Sequence, residues 1–412
     1  MRGRPSLDAL LAAGVFVATA AAVTAAWQWS GNAITDIPLY RTYGERIENG
    51  LVPYRDFGFE YPPGALPALV MPALVTDSLT AYRVVFAGQL AFVGALGVLL
   101  FAAALDRLGR ATAERRTALA VVALAPLLLG GVVLSRFDLL PAALVTGALL
   151  LLVTGRPRAG ALVTGLGVAV KLYPAVLVPL LALAAFRRGG RPELGRTLAL
   201  SAAPALVLYL PFLVLSPGGV LDSFGRQLGR PLQIESLGAG ILLVLHQVAD
   251  TSLGWASGAG SQNLTGPGTT GLAVALGVAQ IAAVGLVWLS YARGGAATSE
   301  RLVRHAAAAV VAFVALSKVL SPQFLVWLVL LVPLVGPPRS RSALWLTAVA
   351  CGLTAAWFPL RYWELVREFD SLASWLVLAR GLVLLALLAV LIRATKREPA
   401  RSPSPAPSPG RT

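Results

Sequence analysis

The 412 residues are 57% apolar and 13% charged, with a formal net charge of +15 and a mean hydropathy of +0.75. Soluble domains carry about a quarter charged residues, so this balance excludes a water-soluble globular chain and leaves no length for a soluble catalytic domain. The basic excess lies in short loops between apolar runs, which is the positive-inside pattern rather than a nucleic-acid-binding one, and the single Cys351 excludes a disulfide framework or cysteine metal site.

A hydrocarbon core of ~30 Å requires about 20 apolar residues per helix. Placing the basic loops inside threads about twelve spans, with both ends cytoplasmic. The first span, Ala9 to Trp27, follows Arg2 and Arg4; small residues near Ala22 resemble a signal cleavage site, but the run is long enough to be a retained helix. An outer loop from Trp29 to Tyr61 comes next, and a second span near Tyr82 to Leu105 returns to the basic segment Arg107 to Arg116. The third and fourth spans flank the outer turn Ser135-Arg136-Phe137-Asp138; the fifth and sixth flank Lys171-Leu172-Tyr173-Pro174. The seventh ends near Ser216 and opens the longest outer loop, Pro217 to Thr270, which the eighth closes by returning to Arg293. The ninth and tenth flank Lys318 to Gln323, and the last two flank Arg361 to Asp370. Two short apolar segments, Gly64 to Val75 and Leu237 to Val248, read as interfacial or juxtamembrane helices. The expected fold class is an all-α polytopic membrane protein: one transmembrane domain over 1–395, then a Ser-Pro-rich tail, 396–412, that reads as disordered and cytoplasmic.

This path sends most carboxylates to the outer face, where acid–base chemistry is expected. Asp36 lies a few residues beyond the first span, near the headgroup level. There it serves either as a general base, contributing ~10²–10⁴ in rate, or as a helix cap. Glu60-Tyr61-Pro62-Pro63 forms a rigid turn whose acid is either a site group or a local hydrogen-bond partner. Arg136 and Asp138 read as a mutual ion pair, or as a phosphate contact and an acceptor contact. Lys171 and Lys318 stand out because lysine is rare here; each precedes a proline by three or four residues at the end of a short span. They read as compact phosphate-binding cations or as snorkelling side chains. Arg226 and Arg230 lie outside against the charge trend, which points to a phosphate or acceptor headgroup, or else to a peripheral amphipathic helix. His246 and His305 are far apart and no metal-ligand spacing occurs, so neither a metal nor a cofactor is expected. Arg380 within the last span requires a partner or cavity that the sequence does not name.

In order along the chain, Asp36 with Tyr40, Pro53-Tyr54, Glu60-Tyr61-Pro62-Pro63, Arg136-Phe137-Asp138, Lys171-Leu172-Tyr173-Pro174, Arg230 through Gln233 and Glu235 to Ser236, and Lys318 through Gln323 to Trp327 resemble glycosyltransferase family 87. These are polyprenyl-phosphate-mannose-dependent α-mannosyltransferases of the GT-C superfamily. The resemblance implies an inverting transfer on the extracytoplasmic face of the cell membrane, from a β-mannosyl phosphate on a polyprenol to a lipid or glycan acceptor. It implies Asp36 as base and Lys171, Lys318, Arg136 and Arg230 around the leaving phosphate. Tyr40, Glu60, Tyr61, Asp138, Tyr173, Gln233, Glu235 and Gln323 then support substrate, and the loop 217–270 selects the acceptor. The rival reading is a multi-pass transporter or flippase of a lipid-linked or phosphorylated substrate, since proline-broken helices and intramembrane charges also mark transport paths.

Overall fold

A computed structural model describes residues 5–29 and 34–393. The tail expected to be disordered lies outside the described residues. The chain is helical almost throughout, as backbone in a hydrocarbon medium must satisfy its own hydrogen bonds. Helix α1 (Leu7–Trp29) leads to the short α2 (Ile37–Glu48), and α3 (Leu66–Val70) lies between two 3₁₀ turns. Pro67 and Pro72 keep that apolar stretch from continuing as one helix. Then come α4 (Leu79–Arg107), α5 (Thr112–Leu129), the single turn α6 (Val132–Ser135), α7 (Leu139–Val153) and α8 (Pro157–Val170).

Helix α9 (Val178–Leu215) is continuous only in outline. Gly189 and Gly190 leave helical geometry, with φ +66° at Gly190, so two helices meet at the basic segment Arg187–Arg191. The expected outer loop is itself structured, as α10 (Pro217–Leu228), α11 (Leu237–Ala249) and strands β1 (Gly254–Gly258) and β2 (Ser261–Thr265). Helices α12 (Thr269–Arg293), α13 (Ser299–Ala315), α14 (Phe324–Val329), α15 (Ser340–Ala355), α16 (Tyr362–Glu368) and α17 (Ser371–Ile392) complete the chain.

The all-α expectation needs one correction. Strands β1 and β2 form an antiparallel hairpin in which Gly258 faces Ser261. Its two-residue turn, Ala259-Gly260, has φ +50° and +69°, the paired left-handed geometry that matches strand twist. The strands contain no Val or Ile, so the ordinary β signal is missing from the sequence.

Among the described residues, five helical stretches are long and apolar enough to cross a membrane: Leu7–Trp27, Leu79–Arg107, Tyr173–Leu215, Thr269–Arg293 and Ser371–Ile392. Shorter apolar helices, among them Leu139–Val153, Pro157–Val170 and Leu237–Ala249, pack between them. The alanine-rich α13 is buried nearly throughout, because small side chains let α17 and α12 approach closely. Large apolar side chains such as Phe92, Val214 and Ile281 point outward, as they do when the surroundings are lipid.

The basic segments gather at one end. Arg115 pairs with Asp106 at 2.5 Å and donates to Ser6 at 2.7 Å, and Arg110 grips Glu300 through two bonds of 2.6 and 2.8 Å. Arg187 donates to the carbonyl of Gly294 at 3.0 Å, and Arg339 donates to that of Val390 at 3.0 Å. The start of α1 and the end of α17 therefore both lie at this end. A cavity of about 420 Å³ opens here between α5 and α15; none of the candidate site residues lines it.

Candidate active site

At the other end, most of the candidate site residues named above come together through helix breaks, whereas His305 lies against Arg301 near the basic end. Asp36 occupies the N-cap of α2, yet its side chain makes no capping bond. Its carboxylate instead forms an ion pair with Arg136 and accepts weakly from the Tyr40 hydroxyl at 3.4 Å. Arg136 lies in extended backbone between α6 and α7, is buried, and also reaches the Ile34 carbonyl at 3.5 Å. The capping alternative for Asp36 is not the one adopted.

Nor do Arg136 and Asp138 simply satisfy each other. Asp138, 1% exposed, accepts from Lys171 at 2.6 Å and from the Trp327 indole at 2.7 Å. Lys171 leaves the helix at the end of α8 with φ −156°, which turns its ammonium inward over the rings of Phe137, Trp327 and Phe324 at 4.8, 5.3 and 5.6 Å. The proline three residues on fixes this break. Tyr173 stacks on Trp327 at 3.9 Å with planes 6° apart. Tyr40 and Tyr61 pack edge-on against Phe137 at 5.8 and 4.9 Å, so aromatic rings wall this part of the site.

A third layer comes from the segment after α10. Leu232 to Ser236 is held from three sides: the Gln233 amide donates to the Lys318 carbonyl at 3.0 Å, the Ile234 amide to Gln262 at 3.0 Å, and the Leu264 amide to Leu232 at 2.9 Å. The hairpin and the Lys318 break thus frame this shelf. Gln233 donates to Ser321 at 2.8 Å and to the Glu235 carboxylate. Glu235 is 2% exposed; burial raises its pKa to about 7, against the pull of Arg380, Arg136 and Arg230. Arg230 donates to Ser261 at 2.9 Å, and burial lowers its pKa while Glu60 opposes the change. Glu60 itself lies at the hairpin tip, beside Gly260.

Two expected contacts have other partners. The Lys318 ammonium donates to the Leu228 carbonyl at 2.7 Å, capping the end of α10, although Arg230 is close enough to be felt there. Gln323 is the half-buried N-cap residue of α14, and its side chain makes no capping bond. Arg380 is the residue whose place the sequence left open. It is fully buried, donates to the Glu235 main-chain carbonyl and lies 5.6 Å from the Trp357 ring. A charge at such depth costs at least ~2.5–3.5 kcal/mol, which was the one signal available in the sequence for Arg380; Trp357 gave none.

Buried polar atoms in native proteins nearly always have partners. Here the Nε of Arg136 and Arg230, Nε and Nη1 of Arg380, Nε1 of Trp357, Oδ2 of Asp138, Oε1 of Gln233 and the Tyr173 hydroxyl have none. Their concentration around one cluster marks a site built for a polar ligand. No group of three or more His, Cys, Asp or Glu residues able to hold a metal occurs among the described residues.

The sequence model of glycosyltransferase family 87 matches residues 59–322, well over half of the chain. The chain belongs to glycosyltransferase family 87. Membership makes it a membrane glycosyltransferase, and it sets the transporter reading aside. The match spans Glu60, Tyr61, Arg136, Asp138, Lys171, Tyr173, Arg230, Gln233, Glu235 and Lys318; Asp36, Tyr40, Gln323 and Arg380 fall outside it. No curated protein matches the chain.

Proposed function

We propose that this family 87 enzyme transfers a hexose, mannose by the family resemblance, from a polyprenyl phosphate to a lipid or glycan acceptor. The bundle crosses the membrane about twelve times with its basic end and both termini cytoplasmic, and the reaction runs at the opposite, extracytoplasmic end. Asp36 takes the proton of the acceptor hydroxyl, whose oxygen attacks the anomeric carbon as the bond to the phosphate oxygen breaks. The configuration inverts and the polyprenyl phosphate departs with the electron pair. Negative charge grows on that phosphate, and preorganised cations stabilise it most where water is excluded. Arg136 and Arg230 take this role, while Lys171 and Lys318 reinforce the positive field from either flank.

One observation carries this reading: Asp36, at the mouth of the cluster, shares Arg136 with a buried cationic centre whose donors lack acceptors. Purified protein supplied with a polyprenyl-phosphomannose and a membrane acceptor extract should make a mannosylated product, and Asp36→Ala should abolish it with expression retained. Full activity in that variant, or wild-type protein inert with this donor yet active with a nucleotide sugar, would overturn the assignment.

A further inference from the structure

Arg380 sits within α17, a helix otherwise made of apolar and small residues. Its guanidinium has no access to solvent. One edge is anchored on the Glu235 main-chain carbonyl, while Nε and Nη1 have no acceptor. The neighbouring orphans are of the same kind: Nε of Arg136, Nε of Arg230 and Nε1 of Trp357. Donors without acceptors outnumber the orphaned acceptors, Asp138 Oδ2 and Gln233 Oε1.

Charge tells the same story. Arg136, Lys171, Arg230, Lys318 and Arg380 meet Asp36, Glu60, Asp138 and Glu235, five cations to four carboxylates, which leaves one cation uncompensated even with every carboxylate ionised. An unbalanced positive charge in a low-dielectric interior is unfavourable until an anion joins it. The lysines are not the groups left waiting, since Lys171 is engaged by Asp138 and Lys318 by Leu228. Arginine also offers what lysine does not, a planar fork that matches phosphate oxygens.

We infer that Arg380 is a direct phosphate ligand of the substrate, completing an arginine cradle with Arg136 and Arg230, and that Lys171 serves mainly to hold Asp138. This rests on the proposal that the donor is a lipid phosphate. The anchor on Glu235 fixes the guanidinium before substrate arrives, so little side-chain freedom is lost on binding. Trp357 supplies one further donor from the turn before α16.

The test is binding to the full-length protein in nanodiscs, with a fluorescent polyprenyl phosphate displaced by polyprenyl phosphate, inorganic phosphate or polyprenol. The probe should be displaced from wild-type protein by the phosphates and not by polyprenol. Arg380→Met should weaken polyprenyl phosphate at least about tenfold, with Arg380→Lys between the two and Trp357→Phe losing about threefold. Weak displacement by inorganic phosphate that disappears in Arg380→Met also supports the cradle. If Arg380→Met does not fold, the other two variants decide: affinities equal to wild type overturn the inference. Binding that is unchanged in a folded Arg380→Met, or polyprenol competing as well as its phosphate, overturns it too. Wild-type protein that binds none of these ligands overturns the donor assignment itself.

Discussion

The carboxylate of Asp36 and the guanidinium of Arg136 form an ion pair that joins the start of α2 to the turn before α7. Arg136 occupies a carboxylate oxygen that an acceptor proton would go to. On the proposed mechanism a donor phosphate competing for the same guanidinium would release it, and base and leaving group would share one cation. Asp36→Asn, which keeps an oxygen for Arg136, should lower kcat by ~10²–10⁴. Arg136→Lys should raise the donor KM while also lowering kcat. Initial rates over a donor series separate the two effects, and an Asp36→Asn enzyme within a few-fold of wild type would remove Asp36 from the chemistry.

The Lys171–Asp138–Trp327 group governs stability as well as shape. Lys171→Met leaves a buried carboxylate without its cation and should cost about 3–5 kcal/mol. Trp327→Phe removes one bond to a charged acceptor and should cost about 1–3 kcal/mol. The double variant Lys171→Met, Asp138→Leu should recover much of the first loss. Thermal unfolding in detergent measures all three; a double variant no better than Lys171→Met would mean the pair is not the unit that matters.

Glu235 makes stability depend on pH in a particular direction. Burial lifts its pKa from 4.5 to about 7, so the folded protein holds this proton more tightly than the unfolded chain. The cost of ionising it is absent below about pH 4.5, grows as pH rises towards 7 and is constant above, on the order of 3 kcal/mol in all. Glu235→Gln should therefore flatten the fall in melting temperature between about pH 5 and pH 8. Parallel curves for the two proteins would assign the dependence to other groups.

The hairpin turn links the long outer loop to Glu60. Gly260 has φ +69°, and a Cβ there would come within 3.0 Å of a Glu60 carboxylate oxygen. Gly260→Ala should cost about 1–3 kcal/mol of local strain. If this loop selects the acceptor, the acceptor KM should rise with the donor KM unchanged. A change confined to the donor KM would place the hairpin on the wrong substrate.

Membrane sidedness can be read with reporters. Tags at Gly109 and Gly295, in the basic end, should report the cytoplasm, and a tag at Ala259 the opposite side. All three on one side would dismantle the proposed extracytoplasmic site.

Apolar runs of helical length and arginine-rich loops settled the membrane character, the long apolar helices and the clustering of basic segments at one end, because lipid forces the backbone to bond within each span and places charge at the boundaries; the helices α2 and α10 inside the expected outer loops were not foreseen. The breaks at Lys171 and after Ser317 were legible for the same reason, from lysines set beside prolines. Partnerships were not. Arg136 and Asp138 are two residues apart in sequence, yet one reaches Asp36 and the other Lys171 and Trp327. Arg380 was visible only as a charge out of place, and its carbonyl partner at Glu235 lies on the far side of a hairpin that no valine or isoleucine announced. Local burial and periodicity act over a few residues and are written into the chain directly. Which buried charges meet depends on how helices far apart in sequence pack, and only the folded bundle decides that.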